Sequence, residues 1–281
     1  MKNLKLWILG SFAVALAVPS VAQAGRGGSP QAIQQAIAAN SVDAIQAELE
    51  RAEHLVCAAC VDLVLPLVDH ADHRVRQVAA WWLARRGAAT QLQVSMLNRL
   101  SQSDSTAARN AADVLGELHN PSSIPALGAA LSNPVFSAEA RAAMAHALGT
   151  IARPACATQL TAALADQEPQ VRAAALVALR AIPGFRDGSG AAALVADADP
   201  TVRAEAAVTV GNARYTAGAA ALVTALGDPS ADVRKKAAWA LGEIHAPSSV
   251  AGAALSNAAT HDSSAAVRSL AHVAVTKLAA N

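Results

Sequence analysis

The chain has 281 residues, of which 53% are hydrophobic, 3% aromatic and 15% charged, with a formal net charge of +1. Setting Lys2 and Lys5 aside leaves 20 basic against 21 acidic side chains. No basic field is left to hold a phosphate backbone, so nucleic acid is not an expected partner. So few rings also exclude a core of large interlocking side chains, and point to small residues buried along an extended seam.

Residues 1–24 open with Lys2 and Lys5, continue with an apolar run from Leu6 to Val18, and end in the small residues Ala22 to Ala24. That is the pattern of a cleaved secretory signal peptide, and the run is too short to be retained as a membrane span. The expected mature chain is exported, periplasmic or secreted, with no membrane insertion after cleavage. Residues 25–54 read as a flexible leader, "GRGGSP", followed by capping helices. Ser29 and Pro30 start a helix that runs to Ala39 and stops at Asn40; Ser41 caps the next.

"EHLVCAACVDLVLP" places Cys57 and Cys60 three residues apart. In an oxidising compartment the pair reads as a disulfide, structural or redox-active. Two small buried thiols, or metal ligands together with His54, are the alternatives. Covalent haem attachment would need histidine at position 61, which is valine. In "DHADHRVR", Asp69, His70, Asp72 and His73 carry metal-compatible side chains but occupy an ordinary turn between helices, so no metal is assigned there. In "WWLARR", Trp81 and Trp82 are one residue apart around a helix and cannot share a buried stripe. Trp81, Trp82, Arg85 and Arg86 are therefore the candidate partner-binding segment, with Trp82 the exposed ring.

Beyond this point the sequence repeats itself. Arg76, Arg109, Arg141, Arg172, Arg203, Arg234 and Arg268 are separated by steps of 33, 32, 31, 31, 31 and 34 residues. Leucine or valine follows six of them by seven residues; Arg109 is the misfit, with Leu115 six residues on. Such a period is the signature of a repeat array. Each unit reads as two short helices, and the second in the unit of Arg203 is expected from Thr201 to Val210, with Gly211 as a left-handed stop. Gly116, Gly149 and Gly242 are read as helix ends in the same way, and His119 and His245 as residues finishing a helix C-terminus. Cys60 and Cys156 share one slot, sixteen residues before Arg76 and Arg172. Three repeats between them, roughly 30 Å at helix spacing, keep Cys156 unpaired.

"DPSADVRKKAAWALGEI" and "DQEPQVRAAALVAL" resemble the short HEAT-like repeats named after the phycobilisome lyases. The resemblance covers roughly residues 60–281. It implies an all-α, right-handed solenoid of about seven stacked hairpins over residues 55–281. It also implies that Asp166, Asp197, Asp228 and Asp262 and the arginines Arg172, Arg203, Arg234 and Arg268 link neighbouring turns. Ser103 stands where that aspartate would be in an early unit. Such repeats serve scaffolds, adaptors and a few enzymes. The iron-dependent hydroxylases among them carry His-Glu pairs, and this chain has no His-Glu dipeptide.

No nucleophile elbow, phosphate loop, dinucleotide fingerprint or His-Glu-x-x-His occurs. The expectation is an exported scaffold or adaptor that binds a protein partner on its solenoid surface, without catalysis or cofactor. The rival readings are a redox or metal-handling protein acting through Cys57 and Cys60, and a maturation factor for a cofactor protein.

Overall fold

The computed structural model describes residues 28–280. Residues 1–24, expected to be a signal peptide, the first leader residues and Asn281 lie outside the described residues. Sixteen α-helices follow in order: α1 (Pro30–Ala38), α2 (Val42–Arg51), α3 (Ala58–Val64), α4 (His73–Ala84), α5 (Ala89–Leu100), α6 (Ser105–Glu117), α7 (Ile124–Leu131), α8 (Ala138–Ile151), α9 (Cys156–Ala163), α10 (Pro169–Ala181), α11 (Ser189–Leu194), α12 (Pro200–Ala213), α13 (Ala219–Ala225), α14 (Ala231–Glu243), α15 (Ser248–His261) and α16 (Ala265–Ala279). Among the described residues there are no strands.

Local chemistry sets the boundaries. Ser29, Ser41, Asp72, Asp104, Ser137 and Asp199 place a side-chain oxygen on a free N–H of the first turn of α1, α2, α4, α6, α8 and α12. Pro30, Pro169 and Pro200 occupy first-turn positions, where a missing N–H costs nothing. Several helices end where the backbone turns left-handed, at Asn40, Gly87, His119, Ala152, Gly184, Arg214 and His245.

Odd- and even-numbered helices pair into hairpins, and the hairpins stack. The even helices pack directly on one another along the array, whereas the odd ones meet their neighbours much less closely. The stack therefore curves toward the even helices, which form its inner layer. The residue before each repeat arginine (Val75, Ala140, Val171, Val202, Val233, Val267) and the one seven after it (Leu83, Leu148, Leu179, Val210, Leu241) are buried, apart from the half-buried Val275 in the last unit. Together they make one continuous spine, because a single hairpin has too little apolar surface to close a core alone. Cys60 and Cys156 are both buried in first helices of their hairpins.

Two readings of the repeat are corrected. Gly116, Gly149, Gly211 and Gly242 do not end helices; each lies inside one. Their place is contact: a β-carbon on Gly149 would meet the Cα of Ala178 at 2.9 Å, and one on Gly211 the Cα of Ala240 at 3.1 Å. Glycine is needed so that neighbouring inner helices can touch. The α12 helix consequently runs on to Ala213, and Arg214 makes the left-handed stop. Arg109 is also out of register. Counting back from Leu115, Gly116 and the left-handed His119, the arginine slot of α6 is held by Ala108, which is buried.

Candidate functional site

An arginine–aspartate ladder runs along the turn rim and fixes the pitch of the inner helices. Arg172 donates from Nε and Nη2 to both carboxylate oxygens of Asp197, at 2.8 Å each, and from Nη1 to the carbonyls of Asp166 and Gln167 at 2.9 Å. Arg203 does the same to Asp228 and to the carbonyls of Asp197 and Ala198. Arg234 reaches Asp262 in its turn, and Arg141 reaches Asp166. Each aspartate also accepts the N–H two residues on, closing its own turn. Arg268 holds the carbonyls of Asp262 and Ser263.

The electrostatics follow from these bonds. Burial pushes the Asp166 and Asp197 carboxyls up, but the bonds from Arg141 and Arg172 outweigh it and hold them below the ordinary value. For Asp228 and Asp262 the arginine bond is the larger effect, again downward. In the corrected register of α6 the turn-aspartate slot falls on Gln102 rather than Ser103, and Arg76 finds another acceptor. Its Nε donates at 2.8 Å to Asp113, a buried carboxylate inside α6. Desolvation there exceeds the help from Arg76, and the Asp113 carboxyl is pushed up.

Five residues after the arginine slot, one side chain per repeat faces the inner side. The row is Trp81, Asp113, His146, Val177, Val208, Trp239 and Val273. Val177 is 42% exposed and Val273 46%, while the next residue along (Ala147, Ala178, Thr209, Ala240, Ala274) is buried against the neighbouring helix. Two open grooves lie under the N-terminal half of the row. One, of about 480 Å³, is floored by Ala142, Ala143 and Ala174 and edged by His73, His146 and the Arg109–Glu139 pair. The other, of about 500 Å³, has Trp81 beside Glu50, Arg74 and Glu117. Burial pushes the Glu117 carboxyl up.

The candidate binding segment divides. Trp81 is half-buried on the inner face, and exposed Arg85 lies over its ring at 4.2 Å while pairing with Glu53 at 3.5 Å. Trp82 and Arg86 are not available to a partner, which corrects the sequence reading. Trp82 is fully enclosed, its indole N–H donating to the Ala52 carbonyl at 3.2 Å. It fills space beside the end of α2, in a slot that later repeats fill with valine, alanine or threonine. Arg86 stacks on Trp82 at 3.4 Å and donates to the carbonyls of Ala52, Glu53, Leu55 and Trp82. It sews α4 to the end of α2.

Cys57 and Cys60 are joined by a disulfide, with Cα atoms 5.2 Å apart. The structure brings this pair next to the arginine segment, which the sequence separates by some 25 residues. Cys57, Arg85, Arg86, Glu53, His54 and Val56 share one groove of about 480 Å³. The Cys156 thiol is free and buried, and burial pushes its pKa up. The metal-compatible turn residues are otherwise engaged: Asp72 caps α4 and Asp69 pairs with Arg99. Among the described residues no three His, Cys, Asp or Glu side chains are grouped to hold a metal ion. Nor is any helix among them long and apolar enough to cross a membrane.

The sequence profile of HEAT repeats matches residues 94–180 and 191–275, more than half of the chain. The chain belongs to the HEAT-repeat family. A 66-residue stretch of this HEAT-repeat protein is 46% identical to deoxyhypusine hydroxylase of Bos taurus, covering 24% of this chain and 22% of that one. The chain thus spans about a fifth of that relative's length. Among solved structures, YibA of E. coli is similar with a TM-score of 0.55 at 17% identity, over 90% of this chain and 91% of its own. An engineered protein is similar with a TM-score of 0.53 at 20% identity, over 90% and 78%. These two likenesses are of fold.

The hydroxylase match overturns the expectation that this HEAT-repeat protein is not an enzyme, because its sequence relatives include one. The expectation rested on missing catalytic motifs. The repeat pattern is a structural frame on which side chains of many kinds can be mounted, so a missing motif does not separate enzyme from scaffold.

Proposed function

We propose that this chain is an exported scaffold that binds a protein partner along the inner face of its solenoid. The observation that carries the reading is the uncovered row one position before the buried seam. Val177 and Val273 remain about half exposed there, in register with Trp81 and Trp239. Inner helices packed through small residues repeat at the near end of the 8–10 Å range, so from Val177 to Val273 the row offers apolar side chains at a constant interval, with Asp113 and His146 separating that stretch from Trp81. Aligned exposed apolar groups mark interaction surfaces, and tryptophan and arginine are the side chains most often decisive in them. Trp81 and Arg85 therefore anchor the N-terminal end. Export is supported by the basic start, apolar run and small-residue end of residues 1–24.

The test uses the mature chain as bait in the native envelope fraction, followed by affinity measurement with the captured partner. Trp81→Ala and Val177→Asp are expected to weaken binding at least tenfold with helical circular dichroism unchanged. Unchanged affinity in both variants removes the inner face as the binding surface. N-terminal sequencing of the exported protein is expected to begin at Gly25; a chain retaining Met1 would remove the export reading.

A further inference from the structure

We infer that Cys57 and Cys60 form a thiol–disulfide exchange site whose substrate is a protein or peptide segment carrying two cysteines. The two sulfurs are unequally placed. Cys57 is partly exposed in the groove with Arg85 and Arg86, whereas Cys60 is fully enclosed. An external thiolate must approach one sulfur in line with the bond it breaks, and only Cys57 is open to it.

The surroundings suit charge on that sulfur. The Cys60 backbone N–H donates to Cys57 Sγ at 3.1 Å, the bond that serine oxygens make at the starts of α1 and α2. Arg85, paired with Glu53 at 3.5 Å, and Arg86, whose hydrogen bonds all go to carbonyls, line the same groove as Cys57. Cationic, partly exposed surroundings of this kind favour thiolate over thiol. Val56, 98% exposed on the rim, gives an incoming chain an apolar contact. A purely structural role is a poor use of the bridge. Stabilisation by a cross-link grows with the loop it closes, and this one joins residues already held in a single turn.

In the forward step a substrate thiolate attacks Cys57 Sγ. The Cys57–Cys60 bond breaks, its electron pair goes to the Cys60 sulfur, and that sulfur takes up a proton. The substrate's second thiolate then attacks its own sulfur in the mixed disulfide and releases Cys57 as thiolate. The substrate loses two electrons and becomes a disulfide; the pair gains two and becomes a dithiol. The reverse sequence reduces a substrate disulfide.

The experiment mixes the full chain with a synthetic peptide containing two cysteines, in the absence of oxygen. One equivalent of peptide disulfide per chain is expected. In the reduced, folded chain Cys57 is expected to react with iodoacetamide at least tenfold faster than Cys60. A Cys60→Ala chain, checked for helical content, is expected to keep glutathione on Cys57 when given oxidised glutathione, whereas the native chain releases it. Cys156→Ala should behave as native. A bond that survives the peptide until the chain unfolds, or equal labelling of the two cysteines, overturns the proposal. If Cys60→Ala does not fold, the labelling ratio of the native chain decides.

Discussion

Gly149 in α8 lies so close to Ala178 in α10 that a β-carbon added to it would stand 2.9 Å from both the Cα and the Cβ of Ala178. The same glycine–alanine pairing recurs at Gly242 and Ala274 with more room, at 3.3 Å. Overpacking a close contact costs about 1–3 kcal/mol. Gly149→Ala is therefore expected near the upper end of that range and Gly242→Ala near the lower. Urea unfolding monitored by circular dichroism checks the order, and equal costs would mean that close approach is not what the glycines provide.

Each rung of the ladder is asymmetric. Asp197→Ala leaves behind Arg172, which keeps its two carbonyl acceptors, and the Asp199 N–H, whereas Arg172→Ala leaves behind the Asp197 carboxylate and the carbonyls of Asp166 and Gln167. Breaking a buried pair from one side costs about 3–5 kcal/mol, and these partly solvated rungs should fall below that. Arg172→Ala is expected to destabilise more than Asp197→Ala, both measured by chemical unfolding.

The ladder also sets the response to acid. The Asp228 and Asp262 carboxyls are held below their ordinary value by Arg203 and Arg234. A lowered carboxylate contributes stability that is present above the unfolded value, about 3.9, and is lost as pH falls through the folded one. Asp113 and Glu117, pushed up by burial, act oppositely: their unfavourable effect sets in as pH rises above about 4. Stability should therefore drop steeply below about pH 4, and Asp228→Asn should flatten that drop. An unchanged acid slope in the variant would contradict this.

Ala152 and Arg214 hold left-handed backbone, at φ 51° and 53°. Residues with a side chain pay about 1–2 kcal/mol for that region, while glycine enters it freely and loses somewhat more entropy on folding. Ala152→Gly is expected to raise stability by about 0.5 kcal/mol, against the usual destabilising sense of glycine in helical proteins. Thermal unfolding of the single variant is the check.

The adjacent tryptophans should separate cleanly. Removing the enclosed ring in Trp82→Ala leaves a cavity worth about 3–5 kcal/mol. Trp81→Ala removes a half-buried ring and should cost less than half as much. Hydrogen exchange is expected to show the loss in Trp82→Ala concentrated in α2 and α4, because each repeat depends on its neighbours.

The fold was largely legible because its determinant is periodic: arginine, buried valine and buried leucine recur at fixed spacing. What periodicity hid was contact between repeats. Gly211 looks like a helix stop from its own helix alone, and its role appears only with Ala240 in place. Arg109 looks like a ladder member because arginine was the marker, although Leu115 already showed the one-residue slip. Two neighbouring rings that cannot share a stripe do not say which of them is buried, and the seam runs through Trp82 rather than Trp81. The nearness of Cys57 to Arg85 and Arg86 could not be read at all, since it depends on how the second hairpin folds back past α2.

Bidentate rungs from Arg141 to Asp262 tie one rim of the array, while the outer helices α7, α9, α11 and α13 meet only lightly. The molecule thus has a stiff edge and a compliant one. Flexing spreads the outer helices like the leaves of a fan about that edge, and in doing so tightens or slackens the curvature on which Val177 and Trp239 sit.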